Sequence, residues 1–387
     1  TVNSNTGFIT AIGAGTVTLV SSTVGNSNYI GASISQVISI GKSTPTLSFS
    51  STVSSTVVGG NIVITAISSA PGMLSSTGSI SYSLLGSGSS SATINAQTGQ
   101  LTAIQSGQVV VEVSQVGDAN YNAALPITLT ITIGKSTPTL AFSNTLTATT
   151  VGNNIVITAI STAPGILPST GGISYSLLSS GSMSASIDAT GGTLTGTQSG
   201  QVVVQAIQGG DANYNAPLPI TLTISIGKGT PTLSISSTTL SLAVGTTATV
   251  SAQSTPPLVG GISSTGMISY SIIGGSGSAT LNVFTGQLTA TASGNIIVQA
   301  IQGSDVNYNA PLSVSLSITI GAGVQTLSLT SSTGNYATVV GTSLTVTGSS
   351  NVTGGGAITY SIVSGSGSAT VNSNTGFITA IGAGTVT

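Results

Sequence analysis

Residues 126–133 read PITLTITI, with Ile127, Leu129, Ile131 and Ile133 at every second position and Thr128, Thr130 and Thr132 between them. Successive side chains of a strand point to opposite faces, so this alternation predicts a strand with one buried face. Similar runs cover Thr46–Ser50, Asn61–Ser68, Ser79–Leu85, Ser91–Asn95, Gln100–Ile104 and Gln108–Gln115. They are rich in β-branched residues and separated by Gly, Ser or Asn, which predicts seven strands within 93 residues. Helical spacing is sustained nowhere over three turns. The predicted fold class is all-β, an immunoglobulin-like β-sandwich for each unit.

The pattern repeats. GKSTPTLSFS at Gly41–Ser50 returns as GKSTPTLAFS at Gly134–Ser143, as GKGTPTLSIS at Gly227–Ser236, and as GAGVQTLSLT from Gly321. The markers Leu47, Leu140, Leu233 and Leu327 are separated by 93, 93 and 94 residues. The first eighteen residues, TVNSNTGFITAIGAGTVT, recur unchanged as Thr370–Thr387, a displacement of 369 positions. Self-similarity at a fixed period identifies a repeat architecture. The expected organisation is 1–42 the C-terminal part of a repeat, 43–135, 136–228 and 229–322 three whole repeats, and 323–387 the N-terminal part of another. The closing period predicts a window on a longer tandem array, continued by the polypeptide rather than completed by strand donation between subunits.

Composition sharpens this. Charged residues are 2% of the chain, against about 25% in ordinary domains. Hydrophobic residues are 39%, enough for cores, but no run approaches the roughly 20 apolar residues of a spanning helix. No membrane insertion and no nucleic-acid partner is expected. The net charge of −2 over 387 residues gives little repulsion between copies, and near-zero charge favours association. The strands carry no protective edge charge, so lateral self-association that barely responds to salt is expected.

With no His and no Cys, a Ser-His-Asp triad, a thiol nucleophile and a His- or Cys-ligated metal are excluded. Glu112, Asp118, Asp188, Asp211 and Asp305 show no paired-carboxylate spacing, so no enzyme activity is expected. One acidic motif recurs: Asp118-Ala119-Asn120-Tyr121-Asn122, Asp211-Ala212-Asn213-Tyr214-Asn215 and Asp305-Val306-Asn307-Tyr308-Asn309, with Asn26 replacing Asp in the first copy. Alternating oxygens make Asp118, Asn120, Asp211, Asn213, Asp305 and Asn307 calcium candidates. The motif lacks the Gly and downstream Glu of a calcium loop, however. It equally describes an Asx turn between the last two strands, with Tyr packing over the sandwich end.

Junctions are short: Gly134-Lys135-Ser136-Thr137-Pro138 precedes the next strand, and Pro leaves little slack. Lys42, Lys135 and Lys228 all lie in junctions, where solvated linker charge or a Lys–Asn or Lys–Asp cross-link are the two readings. Gly321–Thr326 has lost both Lys and Pro, which predicts a different inter-domain angle or a softer hinge. Asn351-Val352-Thr353 is a glycosylation sequon, so Asn351 is a glycan candidate.

Three stretches carry a family resemblance: SATVNSNTGFITAIGAGTVT (Ser368–Thr387), SATINAQTGQLTAIQSGQVVV (Ser91–Val111) and SATLNVFTGQLTATASGNIIV (Ser278–Val298). Their strand, Asn/Gly turn, short strand and Gly-x-Gly-Thr turn resemble the core of bacterial Ig-like domains of the group 2 type. GDANYNA is similar to a segment of repeats in large bacterial surface proteins. The resemblance implies an extracellular or cell-surface location and a stalk or spacer role. The expected function is the structural repeat region of an extracellular filament, an extended beads-on-a-string fibre with self as its partner. The alternative is the stalk of an adhesin whose binding head lies elsewhere.

Overall fold

The computed structural model describes residues 1–178, 181–257 and 261–387. Described residues form β-strands and two short 3-10 turns, with no α-helix. They group into two compact units, Thr1–Lys228 and Gly229–Thr387.

The first unit opens with a hairpin, β1 (Gly15–Thr23) and β2 (Ala32–Ile40), paired antiparallel over nine positions. The first whole sandwich follows, built from β3 (Thr46–Phe49), β4 (Ser55–Val57), β5 (Asn61–Val63), β6 (Ala66–Ser69), β7 (Ile80–Leu85), β8 (Ala92–Ile94), β9 (Gln100–Ala103), β10 (Gly107–Gln115) and β11 (Ile127–Gly134). One layer has the order β4-β11-β10-β7; the other holds β5-β9-β8 and the pair β3-β6. Between the layers lie Leu47, Ile64, Tyr82, Leu101, Val109, Val111, Val113, Ile131 and Ile133. The chain is therefore all-β, in tandem Ig-like sandwiches. In β11, Ile131 and Ile133 are buried while Thr128, Thr130 and Thr132 are exposed, as the period of two requires.

Two local features depart from the seven-strand pattern. The expected strand Asn61–Ser68 is two strands, because β5 pairs with β9 whereas β6 pairs with β3. At the change of partner the Ala66 N–H donates to the Tyr82 hydroxyl at 3.2 Å. The three residues of β4 pair parallel with β11 at Thr132, Ile133 and Gly134, which gives the early chain a foothold in each layer. The same arrangement recurs in the second sandwich, with Ala148–Thr150 parallel to Ile220–Gly227. In the second unit Ser241–Ala243 is parallel to Val314–Gly321.

The second unit also contains the early strands Leu327–Ser331, Ser343–Ser350, Ser368–Val371 and Phe377–Gly382 as one four-stranded sheet. Leu327 there is 62% exposed, whereas Leu47 and Leu233 at the matching position are 9% and 7% exposed. In the repeat containing Leu233, the strand Thr232–Ile235 packs against Val314–Gly321, which supplies that cover.

Candidate functional site

The D-x-N-Y-N loop follows β10, and its geometry begins with the carboxylate. Asp118 Oδ1 accepts the N–H groups of Asn120 and Tyr121 at 2.8 and 2.9 Å. Its Oδ2 accepts the Thr77 N–H at 2.6 Å, the Ser76 hydroxyl at 3.0 Å and the Thr77 hydroxyl at 3.2 Å. Asp211 repeats this with Asn213, Tyr214, Thr170 and Ser169, and Asp305 with Asn307, Tyr308, Thr265 and Ser264. Each loop is an Asx turn fastened to the loop before β7 or its counterpart.

A buried glutamine extends the Asp118 network inward. Gln115 Nε2 donates to Ser76 Oγ at 3.2 Å and to the Gly78 carbonyl at 2.9 Å, while its Oε1 accepts the Ser68 hydroxyl at 2.7 Å. Partial desolvation of Asp118 by itself raises its pKa. The N–H groups of Asn120 and Thr77, the Ser76 hydroxyl and the Tyr121 N–H outweigh it and hold the carboxyl well below the usual range. The same balance holds for Asp211 and Asp305. Burial, then the Asp305 charge, push the Tyr308 phenol up.

The tyrosines close the sandwich ends. Tyr121, Tyr214 and Tyr308 are 4%, 0% and 0% exposed. Their hydroxyls donate to the carbonyls of Leu74, Leu167 and Ile262 at 2.5, 2.6 and 2.5 Å.

The middle asparagine does something the spacing alone does not reveal. Asn213 Oδ1 accepts the Ser106 N–H of the preceding sandwich at 3.0 Å, and the Ser106 hydroxyl donates to the Ala212 carbonyl at 2.7 Å. Asn120 Oδ1 likewise accepts the Ala14 N–H at 2.9 Å, from the turn leading into β1. The motif is thus an inter-repeat joint. Apolar contact reinforces it, since Tyr214 and Ala163 pack against the first sandwich core. At Gly165 a Cβ would lie 2.6 Å from Tyr214 Oη and 2.9 Å from Val58 Cγ1, so the two repeats meet at backbone distance.

The junction lysines belong to the same assembly rather than to free linker. Lys42 Nζ donates to the Asp118 carbonyl at 2.6 Å and Lys135 Nζ to the Asp211 carbonyl at 2.5 Å. Single parallel bridges, Ser43↔Tyr121 and Ser136↔Tyr214, run alongside. Both pairs of lysine and aspartate are 76 residues apart, and that constant spacing was the available sequence signal.

These residues do not fit calcium. In each loop both carboxylate oxygens face N–H or O–H donors, and Asn120 and Asn213 turn their oxygens to a neighbouring repeat instead of toward the aspartate's. Among the described residues no three Asp or Glu gather. Asn351 is exposed, its Oδ1 accepting the Thr326 N–H at 2.8 Å.

No family model matches the chain, and no curated protein sequence does either. Among solved structures, mouse cadherin-23 EC22-24 aligns over 73% of this chain and 100% of its own, at 17% identity and a TM-score of 0.29. Drosophila N-cadherin EC1-4 aligns over 80% and 84%, at 12% identity and a TM-score of 0.26. The human desmocollin-1 ectodomain aligns over 92% and 78%, at 14% identity and a TM-score of 0.25. No helix of the described chain is long and apolar enough to cross a membrane.

Proposed function

We propose that this chain is the structural repeat region of an extracellular filament or cell-surface fibre, of the bacterial Ig-like type, and that its role is mechanical. The observation that carries the reading is the joint. Asn120 and Asn213 make the same inter-repeat hydrogen bond at 2.9 and 3.0 Å, beside an apolar tyrosine contact that needs no metal. The same joint recurs at two successive junctions within 1–228, as a load-bearing array requires. A single joint is worth little by itself, but its repetition resists bending at each step.

Electron microscopy of native material tests this. Strands of about seven residues with loops and linker predict beads about 40 Å apart. Filaments showing that spacing support the fibre. Separate short rods with a distinct head favour the adhesin stalk instead.

A further inference from the structure

The parallel pair of β4 and β11 ties the entry of the first whole sandwich to its exit. The Thr132 N–H donates to the Ser54 carbonyl at one end, and the Val58 N–H donates to the Gly134 carbonyl at the other, each at 3.0 Å. Parallel strands run the same way. Tension that draws the chain back through β4 and forward through β11 therefore slides one along the other, and loads every bond of the pair together. Just past Val58, the Gly59 N–H donates to the Ala103 carbonyl at 2.9 Å, which fastens the same turn to β9 in the other layer.

That turn is where the next sandwich presses. Val58 is 1% exposed. A Cβ on Gly59 would lie 2.5 Å from the Pro164 carbonyl oxygen and 2.9 Å from the Gly165 nitrogen, and one on Gly165 would lie 2.9 Å from Val58 Cγ1. The repeat 229–322 has the same turn at Val244-Gly245, with Gly245 at φ 87° where Gly59 has 83°. It also keeps the closing bond, from the Val244 N–H to the Gly321 carbonyl at 3.0 Å. There a Cβ on Gly245 would meet nothing within 4 Å, and Val244 is only half-buried. The turn and its bonds belong to each repeat, whereas the cover over Val58 and Gly59 comes from the neighbour.

We propose that the second whole repeat braces the strand pair through which the first bears tension. β4 leaves β11 only after Val58 and Gly59 have parted from Pro164, Gly165 and Tyr214. This deepens the fibre reading and rests on it, since the brace matters where the chain is pulled. The stability of a repeat array is a sum of intrinsic and nearest-neighbour contributions. Here the neighbour's contribution falls on the pair that tension loads, and the rate of unfolding governs forced rupture. The first repeat thereby gains mechanical resistance without any added bond of its own.

The test pulls the first whole repeat by its own ends within the 387-residue protein. The chain has no cysteine, so Thr44→Cys and Thr137→Cys supply two unique attachment points, and optical tweezers read the unfolding rate at constant force. Gly165→Ala lies outside the stretched segment and is expected to raise that rate about tenfold. Asn213→Ala, which loosens the joint without crowding it, is expected to raise it about fivefold. Gly209→Ala, with open space around the added atom, is expected to leave it unchanged. An unchanged rate in both joint variants overturns the brace, and so does an equal rise in Gly209→Ala, which would mark general weakening of the second repeat. Native material without filaments removes the fibre reading and leaves the measured brace standing.

Discussion

Asn213 and Ser106 belong to successive repeats, and Ser106 donates both of the hydrogen bonds that join them there. The Ser106 N–H donates to Asn213 Oδ1 at 3.0 Å, and the Ser106 hydroxyl donates to the carbonyl beside Asn213, that of Ala212, at 2.7 Å. The asparagine is held in place by the Asx turn of Asp211, so the contact couples the orientation of one sandwich to the loop of the next.

Asn213→Ala removes the acceptor and leaves the Ser106 N–H short of a partner. The coupling between the two repeats is expected to fall by about 0.5–1.5 kcal/mol. Chemical unfolding resolves this as a lower midpoint with a broader transition, and Asn120→Ala is expected to do the same at the joint before it.

Gly165→Ala places a methyl between Tyr214 Oη and Val58 Cγ1, at 2.6 and 2.9 Å. Overpacking of this kind costs about 1–3 kcal/mol, and here the cost falls on the joint. Gly209→Ala, with nothing within 4 Å of the added atom, is the control and is expected to leave the melting temperature within a degree or two.

Acid should loosen the three whole repeats together. The carboxyls of Asp118, Asp211 and Asp305 titrate below their ordinary range when folded, so the unfolded chain takes up protons first. Their stabilisation is complete above about pH 5 and is lost as pH falls through about 4 and below. Melting temperature measured from pH 8 to 2 should be flat down to about 5 and then decline. Replacing all three by Asn, as nature has at Asn26, should lower the plateau and flatten the acid limb. Asn keeps an acceptor for the turn, as Asn26 Oδ1 does for the N–H groups of Asn28 and Tyr29 at 2.9 Å each. It cannot accept from the Thr77, Thr170 and Thr265 N–H groups with its second atom.

Calcium should leave stability unchanged. The aspartate oxygens already accept from N–H and O–H groups, so a cation would have to break the turn to enter. Calorimetry in calcium and in chelator is expected to give the same melting temperature. A rise with calcium would show that the loop reorganises around the ion.

Much of this was legible in the chain. The alternation at Ile127–Ile133 and the recurrence of Leu47, Leu140 and Leu233 dictate strands and repeat length, because side-chain period and chain distance are local properties. The Asx turn was readable too, since Asp118 Oδ1 accepts only from residues two and three positions on. Other features belong to the tertiary structure alone. The pairing of β4 with β11 rests on three residues too few to show a period, and the break between β5 and β6 is set by which strand lies alongside. The partners of Asn120 and Asn213 lie 106 and 107 positions away. No local propensity reaches that far: an asparagine amide accepts from any N–H, and only the packing of one sandwich on the next decided which N–H that would be.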